Sequence, residues 1–137
     1  MEISPMVRNV TGIEYTPEVS KLSKRIAHKL NIRNVTFISS DFNEWTNPSH
    51  RKYDMIFSFA VYQWIGLSPQ DNAVRIASLI KPNGFVIFEG HRLSEARKDY
   101  DDYIDAFNSQ GFKTIKRGYS ADEKSEKRIW SLLQYNN

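Results

Sequence analysis

Side chains with chemical reach stand at four places along the 137 residues: Glu14 in GIEYTP, Asp41 in SSDFNEW, the run Phe59-Ala60-Val61-Tyr62-Gln63-Trp64, and Glu89-Gly90-His91. A carboxylate such as Glu14 can accept hydrogen bonds from two neighbouring hydroxyls at once. Asp41 sets an acceptor beside the apolar ring of Phe42. Histidine titrates near neutrality, so His91 could remove a proton from a substrate oxygen or nitrogen. Each residue also has a structural reading: Glu14 as a surface acid, Asp41 as a turn cap, Phe42 and Trp64 as core, His91 as a partner to a loop. His28, His50 and His91 are scattered without ligand spacing, so no metal site is expected. The chain has no cysteine, which excludes thiolate nucleophiles, disulfides and cysteine zinc sites.

The elements that must position these groups alternate between strand and helix. Val7–Ile13 reads as a strand with Glu14 at its end. Thr16 is a good N-cap, Pro17 fits the first helical position and Glu18 favours the positive end of the dipole. Val19, Leu22, Ile26 and Leu30 then form one apolar stripe at helical spacing. Val35–Ser39 is a short β-branched strand; Tyr53–Phe59 is apolar enough to be covered on both faces. Ser68-Pro69-Gln70-Asp71 has capping-box spacing, and its helix turns Val74, Ala77 and Ile80 inward before stopping at Lys81-Pro82-Asn83-Gly84. Phe85–Glu89 is a fourth strand. Ser94 caps a helix bearing Tyr100, Ile104 and Phe107, closed by Gly111. Two strands joined by the charged loop Ser120–Glu126 end the chain. Helices between the first four strands predict a mostly parallel sheet with helices on both faces, and an antiparallel hairpin at one edge.

In this order and spacing, GIEYTPE, SSDFNEW, YDMIFSFAVYQWI, IKPNGFVIFEGH and the terminal hairpin resemble the class I S-adenosylmethionine-dependent methyltransferases. The resemblance covers nearly the whole chain. It implies a Rossmann-like three-layer α/β sandwich, one methyltransferase-like domain over 1–137, and S-adenosylmethionine as cofactor. It also implies roles: Glu14 with Tyr15 at the ribose, Asp41 at the adenine amino group, Phe42 against the ring, and Phe59 and Ala60 beside the cofactor. Trp64-Ile65 resembles an element of enzymes that methylate small carboxylic acids, with Tyr62 and Gln63 near the substrate. Glu89-Gly90-His91 resembles a Glu-x-His element, which makes His91 the candidate catalytic base. The family's first strand and Gly-x-Gly-x-Gly loop have no counterpart here, and Ile3-Ser4-Pro5 matches only the end of the helix after that loop. The expectation is therefore an N-terminally truncated, partial domain with weakened cofactor binding. Its strands either close up directly or leave a slot that a second copy fills as a homodimer.

Composition bounds the partners. The 19 Lys+Arg against 16 Asp+Glu give a net charge of +3, which is mild. Lys21, Lys24, Arg25, Lys29 and Arg33 cluster on the first helix, but without the interleaved aromatics of a nucleic-acid footprint. A small-molecule methyl acceptor is favoured over nucleic acid; a non-catalytic interaction domain is the third reading. No apolar run is long enough to cross a bilayer and no signal-peptide pattern opens the chain, so no membrane partner and a cytoplasmic location are expected.

Overall fold

The computed structural model describes residues 4–48, 50–92, 99–121 and 127–137. A single 3-10 turn, Ser4–Met6, comes first. The chain divides into two compact units, Met1–Asn47 and Pro48–Asn137.

In the first unit, β1 (Val10–Glu14) and β2 (Val35–Ser39) form a parallel pair, in register from Val10↔Val35 to Glu14↔Ser39. β1 starts three residues later than the pattern suggests because its ladder begins where β2 does. The Val10 N–H donates to the Asn34 carbonyl (2.8 Å), while the Asn34 amide donates to the Val7 carbonyl (2.9 Å). The two strands pack closely at Gly12, where a Cβ would lie 2.9 Å from the Phe37 ring. Helix α1 (Pro17–Lys29) follows. Thr16 is extended as an N-cap should be, but its side chain makes no cap bond; the first-turn charge comes from Glu18. Ser20 and Ala27 are buried, whereas the apolar stripe of Val19, Leu22, Ile26 and Leu30 is 39–62% exposed.

The second unit has a four-stranded sheet in the order β3-β4-β6-β5: β3 (Tyr53–Phe59), β4 (Ile80–Arg92), β5 (Phe112–Ala121) and β6 (Lys127–Tyr135). β3 and β4 are parallel, and the C-terminal hairpin packs antiparallel against β4 through β6. This is the mixed α/β sheet expected. Strand alternation sends Val86 and Phe88 to the same face as Ser131 and Leu133, and all four are buried. Helix α4 (Tyr100–Ser109) covers them: Phe88 touches the rings of Tyr100, Tyr103 and Phe107 at centroid distances of 5.3–5.6 Å. Each wholly buried apolar side chain here contributes about 1.5–3 kcal/mol. Gly111 closes α4 with φ of 89°. Ser94, expected to cap that helix, lies outside the described residues.

Three expectations are corrected. β4 runs from Ile80 to Arg92 rather than from Phe85 to Glu89, since α3 (Pro69–Leu79) gives way directly to a strand at Ile80. α3 buries Asn72, Ala73 and Ile76, and leaves Val74 49% exposed. β3 is not covered on both faces: Met55, Phe57 and Phe59 are 43, 38 and 48% exposed. Nor do the strands close up, for β1 pairs with β2 and β3 with β4, in separate sheets.

Candidate functional site

The first unit presents two carboxylates at one end of its parallel pair. Glu14 is the last residue of β1, and Asp41 follows the end of β2 by two residues. The Ser40 N–H donates to the Glu14 carbonyl (3.0 Å), which carries the pairing past β2 to the residue before Asp41. One oxygen of each carboxylate is held by backbone. Glu14 Oε1 accepts from the Thr16 N–H at 2.8 Å, and Asp41 Oδ1 accepts from the Asn43 N–H at 2.7 Å. The second oxygen of each stays open to a ligand. Phe42 is half-buried, whereas Tyr15 is 75% exposed. Ligands of open α/β sheets bind at such carboxyl ends of strands.

The second unit positions the remaining candidates around the carboxyl ends of β3 and β4. Phe59 ends β3, its ring 5.3 Å from that of Phe57. Ala60 takes φ of 52°, a left-handed conformation that a residue with a Cβ adopts at a cost. Its N–H donates to the Glu89 carbonyl (2.9 Å), which pins the sharp exit from the strand. The short helix α2 (Tyr62–Ile65) comes next and ends at Gly66, with φ of 73°. Tyr62 is buried against Phe88 and Tyr103, while Trp64 is 80% exposed and so is not the core residue that an apolar run suggests. The rings of Tyr62 and Trp64 lie 6.2 and 6.4 Å from the His91 imidazole, both edge-on. His91 Nε2 is buried without a hydrogen-bond partner, as is Gln63 Nε2. His28 and His50 are exposed.

One group escaped the sequence reading. Glu89 Oε2 accepts from the Ser120 hydroxyl (3.0 Å), and Glu89 Oε1 lies 3.4 Å from an Arg128 guanidinium nitrogen. No local pattern could reveal it, because the partners stand 31 and 39 residues from Glu89. The shallow groove along α1, lined by Glu18, Lys21, Leu22, Lys24 and Arg25, includes none of the candidate residues. Among the described residues no group of His, Asp or Glu could hold a metal, and no helix is long and apolar enough to cross a membrane.

The profile of the methyltransferase domain family matches residues 2–136. The chain belongs to the class I S-adenosylmethionine-dependent methyltransferases. A curated member, malonyl-[acyl-carrier protein] O-methyltransferase of Halalkalibacterium halodurans, is 30% identical over 95 residues. That match takes in 68% of this chain but 35% of the relative, so the chain spans about a third of its length. The N-methyltransferase NodS of Bradyrhizobium japonicum superposes with a TM-score of 0.79 at 11% identity, over 99% of this chain and 78% of NodS. A second NodS structure, in complex with S-adenosyl-l-homocysteine, superposes at 0.75 and 10% identity, over 99% and 71%. An rRNA methylase of Streptococcus thermophilus gives 0.74 at 8% identity, over 98% and 78%. At such identities the likeness is one of fold, and these methyltransferases differ in what they methylate. The family's cofactor is S-adenosylmethionine.

Proposed function

We propose that this methyltransferase domain binds S-adenosylmethionine through Glu14 and Asp41 and serves methyl transfer to a small-molecule acceptor. The observation that carries the reading is the pair of carboxylates at the ends of parallel β1 and β2, each with one oxygen fixed and one open. When bound, the cofactor supplies a methyl group made electrophilic by its sulfonium. Glu14 would accept from the ribose hydroxyls, with Tyr15 beside it, and Asp41 from the adenine amino group. Phe42 would offer its ring to the base, and Phe59 and Ala60 would border the cofactor. The chain's part in the chemistry is positioning and exclusion of water, with a base where the nucleophile carries a proton. His91 suits that role: its Nε2 has no competing partner, and two aromatic rings flank it. A pocket of small radius between Trp64 and His91 favours a small acceptor over nucleic acid, and the cations of α1 are rimmed by aliphatic side chains rather than aromatics.

Titration calorimetry with S-adenosylhomocysteine tests the cofactor reading. Saturable binding that weakens by about tenfold or more in Asp41→Ala is expected from loss of a hydrogen bond to a charged group. Binding indifferent to both Asp41→Ala and Glu14→Ala would defeat it. The exposed edge of β3 carries no charge, proline or glycine from Met55 to Phe59, whereas β5 at the far edge bears Lys113, Lys116, Arg117 and a register shift. Edges are ordinarily protected as β5 is. We therefore also propose that β3 pairs with β3 of a second copy.

A further inference from the structure

We propose that the acceptor is a small molecule carrying a carboxylate, held by the Arg128 guanidinium and the Gln63 side-chain amide. The proposal rests on the methyltransferase reading above and names the acceptor class for the same site. Its basis is a local excess of donors. Arg128 Nε and Gln63 Nε2 are both buried and have no hydrogen-bond partner. Both belong to the surroundings of the carboxyl end of β4. Arg128 pairs across the sheet with Arg92 and reaches Glu89, while Gln63 sits between Tyr62 and Trp64, whose rings flank His91. A buried donor left unpaired is costly, and two of them in one neighbourhood ask for one acceptor group.

Charge decides which acceptor. Glu89 is the only anion given to Arg128, and it is held at 3.4 Å, against 2.6 Å for Arg117–Asp101 and 2.7 Å for Lys81–Asp54. Glu89 also spends its other oxygen on Ser120. The guanidinium is therefore loosely engaged on one side and leaves its Nε edge free. That edge matches the planar geometry of a second carboxylate. The Gln63 amide adds a neutral donor. His91 Nε2 is left for the other end of the same molecule, where an O–H or N–H nucleophile would meet its base. The class is thus a short carboxylic acid with a protonated oxygen or nitrogen a few bonds from the carboxylate.

The test uses 3-hydroxybutanoate and its amide, 3-hydroxybutanamide, titrated into the chain without cofactor. Binding is followed by the His91 imidazole proton resonances and the Trp64 indole N–H. The acid is expected to shift both signals saturably, the amide at least about tenfold more weakly, as loss of a charge-assisted bond implies. Arg128→Gln should weaken the acid by about tenfold or more, with Arg128→Lys intermediate because it keeps charge without the fork. Lys81→Gln, at an exposed ion pair elsewhere, should change nothing. Should Arg128→Gln lose its circular-dichroism signature, Gln63→Met reads the same site from another element and should weaken the acid severalfold. Equal binding of acid and amide, an Arg128 series with no effect, or no saturable shift would each overturn the proposal. Normal S-adenosylhomocysteine binding alongside those results would leave the cofactor reading standing. Acid binding that persists where the cofactor product fails to bind would support the carboxylate site and sink the cofactor assignment instead.

Discussion

Glu14 holds two jobs that can be separated by one atom. Its Oε1 takes the Thr16 N–H at the start of α1, and its other oxygen faces outward. Glu14→Gln keeps an acceptor for Thr16 but removes the charge; Glu14→Ala removes both. S-adenosylhomocysteine affinity should fall by about tenfold in Glu14→Gln, with helicity by circular dichroism unchanged. Glu14→Ala should match that loss and also fray the helix start. His91 calls for a kinetic measurement. In an active form, His91→Asn should lower turnover by about 100-fold or more while cofactor affinity holds, since a general base contributes that much. Weakened cofactor binding with undiminished single-turnover rates would assign the ring a structural role. At this scale the sequence was legible where chemistry is local. Glu14 and Asp41 could be found because strand ends announce themselves. Arg128 and Ser120 could not, because their meeting with Glu89 depends on a strand pairing that spans a helix and a hairpin.

Among the elements, α3 shows both a success and a miss. The capping spacing was real: the Asp71 N–H donates to Ser68 Oγ at 3.1 Å, and that hydroxyl donates to Asp71 Oδ2 at 2.6 Å. Ser68→Ala should cost about 1 kcal/mol and lower the melting temperature by roughly 4–8 °C. The inward face was misread because Asn72, a polar residue, is 1% exposed, and its presence on the buried side hides the periodicity. β3 misled for the opposite reason, since an apolar run does not say which of its faces is covered. Helix α4 carries an acid–base signature of its own. The Tyr100 hydroxyl donates to the Phe88 carbonyl (3.1 Å) and lies 3.0 Å from Ser131 Oγ. Burial pushes its pKa up to about 12, against the hydrogen bond from Ser131 and the charge of Arg117, which pull it down. A raised folded-state pKa favours the neutral phenol, so this stability is complete below the unfolded value near 10 and is lost as pH rises toward 12. Chemical denaturation should show that decline between those values, and Tyr100→Phe should flatten it while lowering stability at neutral pH by about 1–2 kcal/mol.

For the whole molecule, the two units differ in how much they can hold by themselves. The first has one strand pair and a helix whose apolar stripe is open; the second encloses five aromatic rings and a four-stranded sheet. Hydrogen exchange should therefore be slower in β4 and β6 than in β1 and β2, on the order of 100-fold, as local opening free energies dictate. Comparable protection in both would refute that ranking. Sedimentation should find a dimer that Phe57→Lys converts to monomer, by placing charge on the bare strand. The unequal edges of the second sheet carry a further consequence, for stoichiometry. A sheet with two receptive borders adds copies without end, as a fibre does. This one has a single receptive border, which meets its own kind across a two-fold axis and is used up, while the cationic, irregular β5 repels further addition on either side. Any assembly built through this sheet counts to two and stops.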